Sequence, residues 1–169
     1  MSDKAGAGDM FLFVKGAKHG QINGESQDDS KHRGEIEVLS WSWGMQGKPS
    51  LGGGAASGKA TIRELKIVKR VDKASTALMS ALRTNELINQ AVLTLRKTGK
   101  TPVEYLKITI EQGRVVSLDI EAGDTSGSST LVERVSFSFN KIEVEYRPQG
   151  GDGQPLGGTM FQDQWGTDS

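Results

Sequence analysis

Gly24-Glu-Ser-Gln-Asp-Asp-Ser-Lys-His-Arg-Gly-Glu-Ile-Glu-Val-Leu-Ser-Trp-Ser-Trp-Gly44 decides how the rest of this sequence is read. Nothing from Gly24 to Glu35 is apolar, so the first half is a polar loop. The second half is the strongest strand signal in the chain. In an extended backbone Ile36 and Val38 share one face, while Leu39, Trp41 and Trp43 share the other. The apolar face therefore changes side between Val38 and Leu39. One extra residue there, a β-bulge, lets both sets point inward while the strand bends. Beyond the bulge, Ser40 and Ser42 face away from the two indoles. The strand is anchored by tryptophan on one side and bears only hydroxyls on the other.

The chain has 169 residues, enough for one domain that buries about 70% of its unfolded surface. Lys+Arg and Asp+Glu stand at 21 each. That balance gives no net field toward nucleic acid or acidic lipid, and no long-range repulsion between identical copies. The absence of cysteine excludes disulfide frameworks, thiolate catalysis and Cys-based zinc sites. Asp3, Lys4 and Asp9 interrupt the N-terminus, and Met10 to Val14 is too short for a signal-peptide core or a membrane span. The reading is a protein folded in the cytoplasm; if it leaves the cell, the route ignores its N-terminus.

Taken in order, the pattern is mostly β. Residues 1–9 read as a flexible N-terminus, 10–148 as a single domain and 149–169 as a mobile tail, with Met160, Phe161 and Trp165 as isolated apolar points. Met10 to Val14 is a first strand, and residues 16–34 are a polar loop carrying both histidines, His19 and His32. Gly44 to Lys59 is glycine-rich and almost without bulk, a length more often ordered by a partner than by its own packing. From Ala60 to Val71 the strand pattern resumes through Leu65, Ile67 and Val71, broken by Lys69. Ala74, Ala77, Leu78, Ala81 and Leu82 fall at helical spacing, which predicts one helix over about 73–84 with Asp72 or Ser75 as N-cap.

Strand alternation then recurs at Ala91–Leu93–Leu95, Leu106–Ile108–Ile110 and Val116–Leu118–Ile120. Gln112-Gly113 reads as the turn of a hairpin between the last two. Gly123 to Thr130 is a loop by composition. Val135, Phe137 and Phe139 share one face and Ile142, Val144 and Tyr146 the next, a second phase slip that reads as another bulge in one long bent strand. Two bending strands in an antiparallel set predict a mainly β fold: a closed antiparallel barrel of two curved sheets, with the short helix on its side.

The motifs that suggest chemistry each have a plainer explanation. Gly53-Gly-Ala-Ala-Ser-Gly58-Lys59-Ala60 fits the first seven positions of a phosphate-binding P-loop. Ala60 lacks the hydroxyl that would hold magnesium, however, and the chain continues into a strand instead of a helix. Glu25, Asp28, Asp29 and His32 match no calcium-loop spacing, and no motif brings His19 to them. They read as a polar loop whose carboxylates cap backbone amides. No Gly-x-Ser-x-Gly elbow supports a nucleophile. Lys66, Lys69, Arg70 and Lys73 crowd one strand end without interleaved aromatics, as a solvated or inter-subunit face does. Trp41 and Trp43 could stack on sugars, but alternation with serine reads as core packing. The sequence describes a binding or building protein, with no catalytic, cofactor or metal residues and no cofactor.

The run Gly24-Glu25-Ser26, Asp28, His32, Glu35-Ile36, Val38 and Trp41-Ser42-Trp43-Gly44 resembles the signature of the Hcp (haemolysin-coregulated protein) family, tube subunits of type VI secretion systems. The likeness continues through Gly58-Lys59, Val71-Asp72-Lys73, Val103-Glu104-Tyr105, and Glu133-Arg134-Val135 to Tyr146-Arg147-Pro148-Gln149. It covers Met10 to about residue 150, with Glu25, His32, Trp41, Trp43 and Gly44 as its structural signature. The resemblance implies a β-barrel that assembles into homohexameric rings with a central channel. The rings would stack into a tube that a contractile sheath expels, with spike and baseplate proteins as further partners and effectors carried inside. It implies no nucleic acid and no membrane insertion, and secretion without a signal peptide. A chain ending at Ser169 is too short for the C-terminal toxin domain that some members append.

On that reading Ser40 and Ser42 point out of the barrel. They face either the channel and its cargo, or a neighbouring subunit or bulk solvent. Two other classes stay open: a monomeric β-barrel that binds a small ligand or glycan, and an enzyme built on the His32 loop.

Overall fold

A computed structural model describes residues 9–28, 31–48, 60–97, 103–125, 128–148 and 157–165. Its strands are β1 (Met10–Gly16), β2 (Gly20–Gln21), β3 (Ile36–Ser42), β4 (Met45–Gln46), β5 (Thr61–Ile62), β6 (Leu65–Arg70), β7 (Ile88–Lys97), β8 (Val103–Thr125), β9 (Ser128–Ser138), β10 (Lys141–Tyr146) and β11 (Thr159–Gln164). Among the described residues a single helix, α1, spans Ala74–Arg83. β7, β1, β3, β6, β9 and β8 pair in a cycle, each antiparallel to the next, and so close a six-stranded barrel. The closed barrel with one short helix is the fold the alternation predicts.

Closure depends on two strands that turn from one sheet into the other. β3 leaves β1 after Phe11↔Glu37 and joins β6, and its register shifts between Val38 and Ser40. Leu39 is the extra residue, so the bulge lies where the apolar face changes side. β8 turns the second corner. Its first half pairs with β7 and β10, its second half with β9.

Here the structure corrects the sequence reading. Gln112-Gly113 is no hairpin turn: β8 continues through a bend, Gly113 pairing with Ile88 and Arg114 with Ser138. Gln112 absorbs the bend with φ 55°, a left-handed conformation uncommon outside glycine. A side chain at Gly113 would put Cβ 2.8 Å from the Ser138 carbonyl oxygen, so only glycine fits that corner. The second phase slip is likewise a break, not a bulge. β9 ends at Ser138 and β10 begins at Lys141, although both run along β8 in line.

The core fills the barrel. Leu12, Val14, Ile36, Leu65, Ile67, Leu93, Ile108, Ile110, Val135 and Phe137 are almost wholly buried. α1 covers one side with Ala74, Leu78 and Ala81, which are inaccessible to solvent. The N-cap position is Lys73, which makes no side-chain cap, and not Asp72 or Ser75. Those two still bond locally there: Asp72 Oδ1 accepts the Ala74 amide (3.0 Å) and Ser75 Oγ accepts the Asp72 amide (3.0 Å).

β4 and β5 pair as the stem of the glycine-rich segment. Residues 49–59, with the P-loop-like match, lie outside the described residues apart from Ala60, as do residues 1–8 and Asp29. The tail, by contrast, contains a strand. β11 pairs with β10 along six residues, and Trp165 packs on Phe139 at 5.6 Å between ring centroids. Its side chains are nearly all exposed, so no alternation of buried residues announced it.

Candidate assembly surface

The sheet made by β3, β6, β9 and the second half of β8 has two faces of opposite character. Residues directly paired across an antiparallel sheet point the same way. One row is Trp41, Ile67, Val135 and Leu118, packed in or against the core. The adjacent rows are Ser42, Lys66, Ser136 and Ser117, then Ser40, Val68, Arg134 and Asp119. These rows form the outer wall, and Ser40, Ser42, Lys66, Arg134 and Asp119 are exposed on it. Arg134 Nε donates to Glu121 Oε1 across the wall at 2.9 Å. The wall is mostly polar and of mixed charge.

The apolar positions continue past the barrel at two separate places. Along β8 and β9 the inward row reaches Ile120 and Leu131, which are 44% and 53% exposed, Leu131 lying just past the last β6–β9 pair, Arg70↔Val132. Along the other sheet the row Leu93, Ile108, Val144 passes to Phe161 on the edge strand β11, with Tyr146 beside it. Phe161 is 40% and Tyr146 47% exposed.

Below these surfaces lie three buried polar clusters. Lys69 breaks the apolar pattern of β6 in chemistry but not in direction, for it is fully buried. Its Nζ lies 2.8 Å from Glu133 Oε1, 2.8 Å from Asp72 Oδ1 and 3.2 Å from Ser75 Oγ, and the Ser75 hydroxyl donates to Glu133 Oε1. Glu133 Oε2 has no hydrogen-bond partner among the described residues. This knot ties β6 and β9 to the start of α1. Lys69 and Glu133 each occupy an inward position on a strand, the signal by which sequence reading could have found them.

In the second cluster Glu86, also buried, accepts the Lys18 and His19 amides at 2.9 Å each and faces His19 Nδ1 at 2.7 Å. Burial pushes its carboxyl up, but those amides and the His19 ring outweigh burial and hold it below the ordinary value. In the third, His32 is buried and stacked on Phe11, 4.5 Å between centroids. Its Nδ1 lies 2.9 Å from Glu35 Oε1 and its Nε2 2.7 Å from Glu104 Oε1. Arg96 sits over the Phe11 ring and pairs with Asp28 at 2.9 Å.

The loop carboxylates thus act on the protein itself. Glu25 Oε2 accepts the Lys73 amide (2.7 Å) at the helix start, and Asp28 Oδ2 accepts the His32 amide (3.3 Å). The structure separates Glu25 from His32 and His19 from both, and no group of metal-ligating side chains occurs among the described residues. Trp41 and Trp43 are half-buried against the core, and the Gly44 carbonyl accepts the Arg63 amide at 3.0 Å. No helix among the described residues is long and apolar enough to cross a membrane.

The chain has clear relatives. The profile of the family described as "Type VI secretion system effector, Hcp" matches residues 11–146. Protein hcp1 of Pseudomonas aeruginosa is 40% identical over 155 residues, covering 90% of this chain and 91% of that protein. Among solved structures, a type VI secretion system effector from Yersinia pestis superposes with a TM-score of 0.71 at 27% identity, covering 93% of this chain and 100% of that one. Hcp1 from Salmonella typhimurium gives 0.68 at 28% identity, with coverages of 92% and 98%. A profile match through every strand of the barrel, a 40% identical relative and a shared fold agree: the chain belongs to the Hcp family of secreted type VI secretion system proteins.

Proposed function

We propose that this chain is a subunit of the type VI secretion inner tube: copies close into hexameric rings, the rings stack, and the tube is secreted with effectors held in its channel. The observation that carries the reading is the pair of apolar faces at separate places on one subunit, Ile120 with Leu131 and Tyr146 with Phe161. Two unlike patches suit a heterologous interface, which closes into a ring at a fixed rotation. Balanced charge leaves no long-range repulsion against that closure.

The polar wall carrying Ser40 and Ser42 suits a channel lining, where cargo must be held without being trapped. Sheath, spike and baseplate proteins are the further partners of such a tube. The subunit waits in the cytoplasm and leaves without a cleaved signal. Its role is structural and not catalytic, in keeping with a family of secreted structural proteins.

Negative-stain electron microscopy of the purified protein tests the ring directly, because a central hole is visible. Particles of one subunit's size at every concentration and salt would overturn it. Ser42→Gln tests the lining. A larger polar group there is expected to leave rings intact and weaken effector retention in co-purification. Loss of rings in that variant would put the serine in an interface instead.

A further inference from the structure

His32 is in a position that a neutral imidazole cannot satisfy. Each ring nitrogen faces a carboxylate oxygen, Glu35 Oε1 at 2.9 Å and Glu104 Oε1 at 2.7 Å. A neutral ring has one N–H and can donate to only one of them. With both carboxyls ionised, the other contact sets a nitrogen lone pair against a carboxylate. One additional proton, on the ring or on a facing carboxyl, turns both contacts into hydrogen bonds.

The surroundings hold the ring where it is. Phe11 of β1 stacks on it, and Arg96 of β7 lies over Phe11 while paired with Asp28. The charged groups facing the cluster are therefore Glu35 and Asp28 from the loop, Glu104 from β8 and Arg96 from β7. Glu104 also lines a surface cleft of about 220 Å³ with Lys31, Lys107 and Arg147, so protons can reach the buried ring from solvent. His32 and Glu35 belong to the loop after β2, and Glu104 opens β8.

Within that loop the Gly24 amide donates to the Gly34 carbonyl, Ser26 to Glu35 and Gly34 to Ser26. Contacts from His32 and Asp28 fasten this folded loop to the barrel.

We propose that the proton shared by His32, Glu35 and Glu104 is a latch: bound, it pins the loop to the start of β8, and its loss as pH rises releases the loop. Burial raises the Glu35 carboxyl above its ordinary value, with the nearby Glu104 and Asp28 charges adding to burial and His32 opposing it. A carboxyl raised on folding contributes stability at low pH that is lost as pH rises through its folded value, the direction in which the latch opens. The latch operates within one subunit and holds whether or not rings form.

Amide hydrogen exchange of the full-length chain tests it, read at Gly24, Ser26, Gly34 and Glu35 from about pH 5 to about pH 9, a range wide enough to bracket the charge change of a free imidazole. Corrected for the intrinsic rise with pH, exchange at these amides is expected to quicken about tenfold or more once the proton leaves, the cost of a buried contact turned repulsive. Glu104→Gln supplies an N–H to Nε2 while Nδ1–H still donates to Glu35, so the loop should stay protected across the range. Glu35→Gln makes the mirror-image repair at Nδ1 and serves if the first variant does not fold. Corrected rates that stay flat in the unaltered protein overturn the latch. So does a glutamine variant that opens on the same pH curve as the parent.

Discussion

Replacing Lys69 with methionine removes a charge from the best-enclosed polar cluster in the molecule while keeping a similar length of chain. In the intact protein the ammonium sits 2.8 Å from both Glu133 Oε1 and Asp72 Oδ1. Lys69→Met leaves the Glu133 carboxylate, with no solvent access, only the Ser75 hydroxyl as partner. Stranding one member of a buried pair costs about 3–5 kcal/mol. Against a total of about 5–15 kcal/mol, that is a large share of the stability. For a chain of this size it corresponds to a fall in Tm of roughly 6–20 °C.

The assay is urea unfolding followed by the fluorescence of Trp41, Trp43 and Trp165, all packed against the core. The companion variant Lys69→Met/Glu133→Leu removes both charges, and should recover most of the loss because a buried pair exchanged for apolar residues is often neutral. A single variant as stable as the parent would refute the reasoning, since the cation would then not be what keeps Glu133 buried. A double variant no better than the single would show that the loss comes from packing and not from stranded charge.

Three further outcomes concern Gly24, Glu86 and Leu131. Gly24→Ala would set Cβ 2.6 Å from the Glu35 carbonyl oxygen and the Ile36 Cα, both backbone atoms. Overpacking of this kind costs about 1–3 kcal/mol, read as a lowered urea midpoint with unchanged slope. Glu86 is held below its ordinary value in the fold, so its contribution is present above the unfolded value and lost as pH falls through the folded one. Glu86→Gln should therefore flatten the acid limb of a stability profile taken from about pH 7 down to about pH 3, and an unchanged limb would assign acid unfolding to other carboxyls. Leu131→Asp, at a position already 53% exposed, should leave the melting of the isolated subunit nearly unchanged while light scattering reports smaller assemblies; undiminished assemblies would remove the β8–β9 hairpin from the interface.

The fold was legible wherever one strand met one local decision. The change of face between Val38 and Leu39 announced a bulge because side chains alternate with period two, and a slip of one residue reverses every later position. The helix was legible from the spacing of its apolar residues, although its N-cap is Lys73 and not Asp72 or Ser75. Gln112-Gly113 misled because a glycine after a polar residue marks a tight turn and a strand corner equally well. The difference lies in partners far along the chain, β7 and β10 before the corner and β9 after it, and no local pattern encodes them. β11 was hidden for another reason. An edge strand held by backbone bonds to β10 need bury little, so its sequence shows no alternation.

The polar clusters follow the same division. Glu35 lies three residues from His32 and could be paired by eye, but Glu104 is 72 residues away and meets the ring only because β8 begins beside the folded loop. Lys69 and Glu133 are 64 residues apart, yet each sits at an inward position of its own strand. Since neither charge can be buried alone at reasonable cost, two inward charges of opposite sign on different strands predict that those strands are neighbours. β6 and β9 are neighbours, with Lys69 directly opposite Glu133 in the register. A break in hydropathy that keeps its phase is thus information about pairing. Read that way, the lysine that interrupts the β6 pattern points to the strand that closes the barrel.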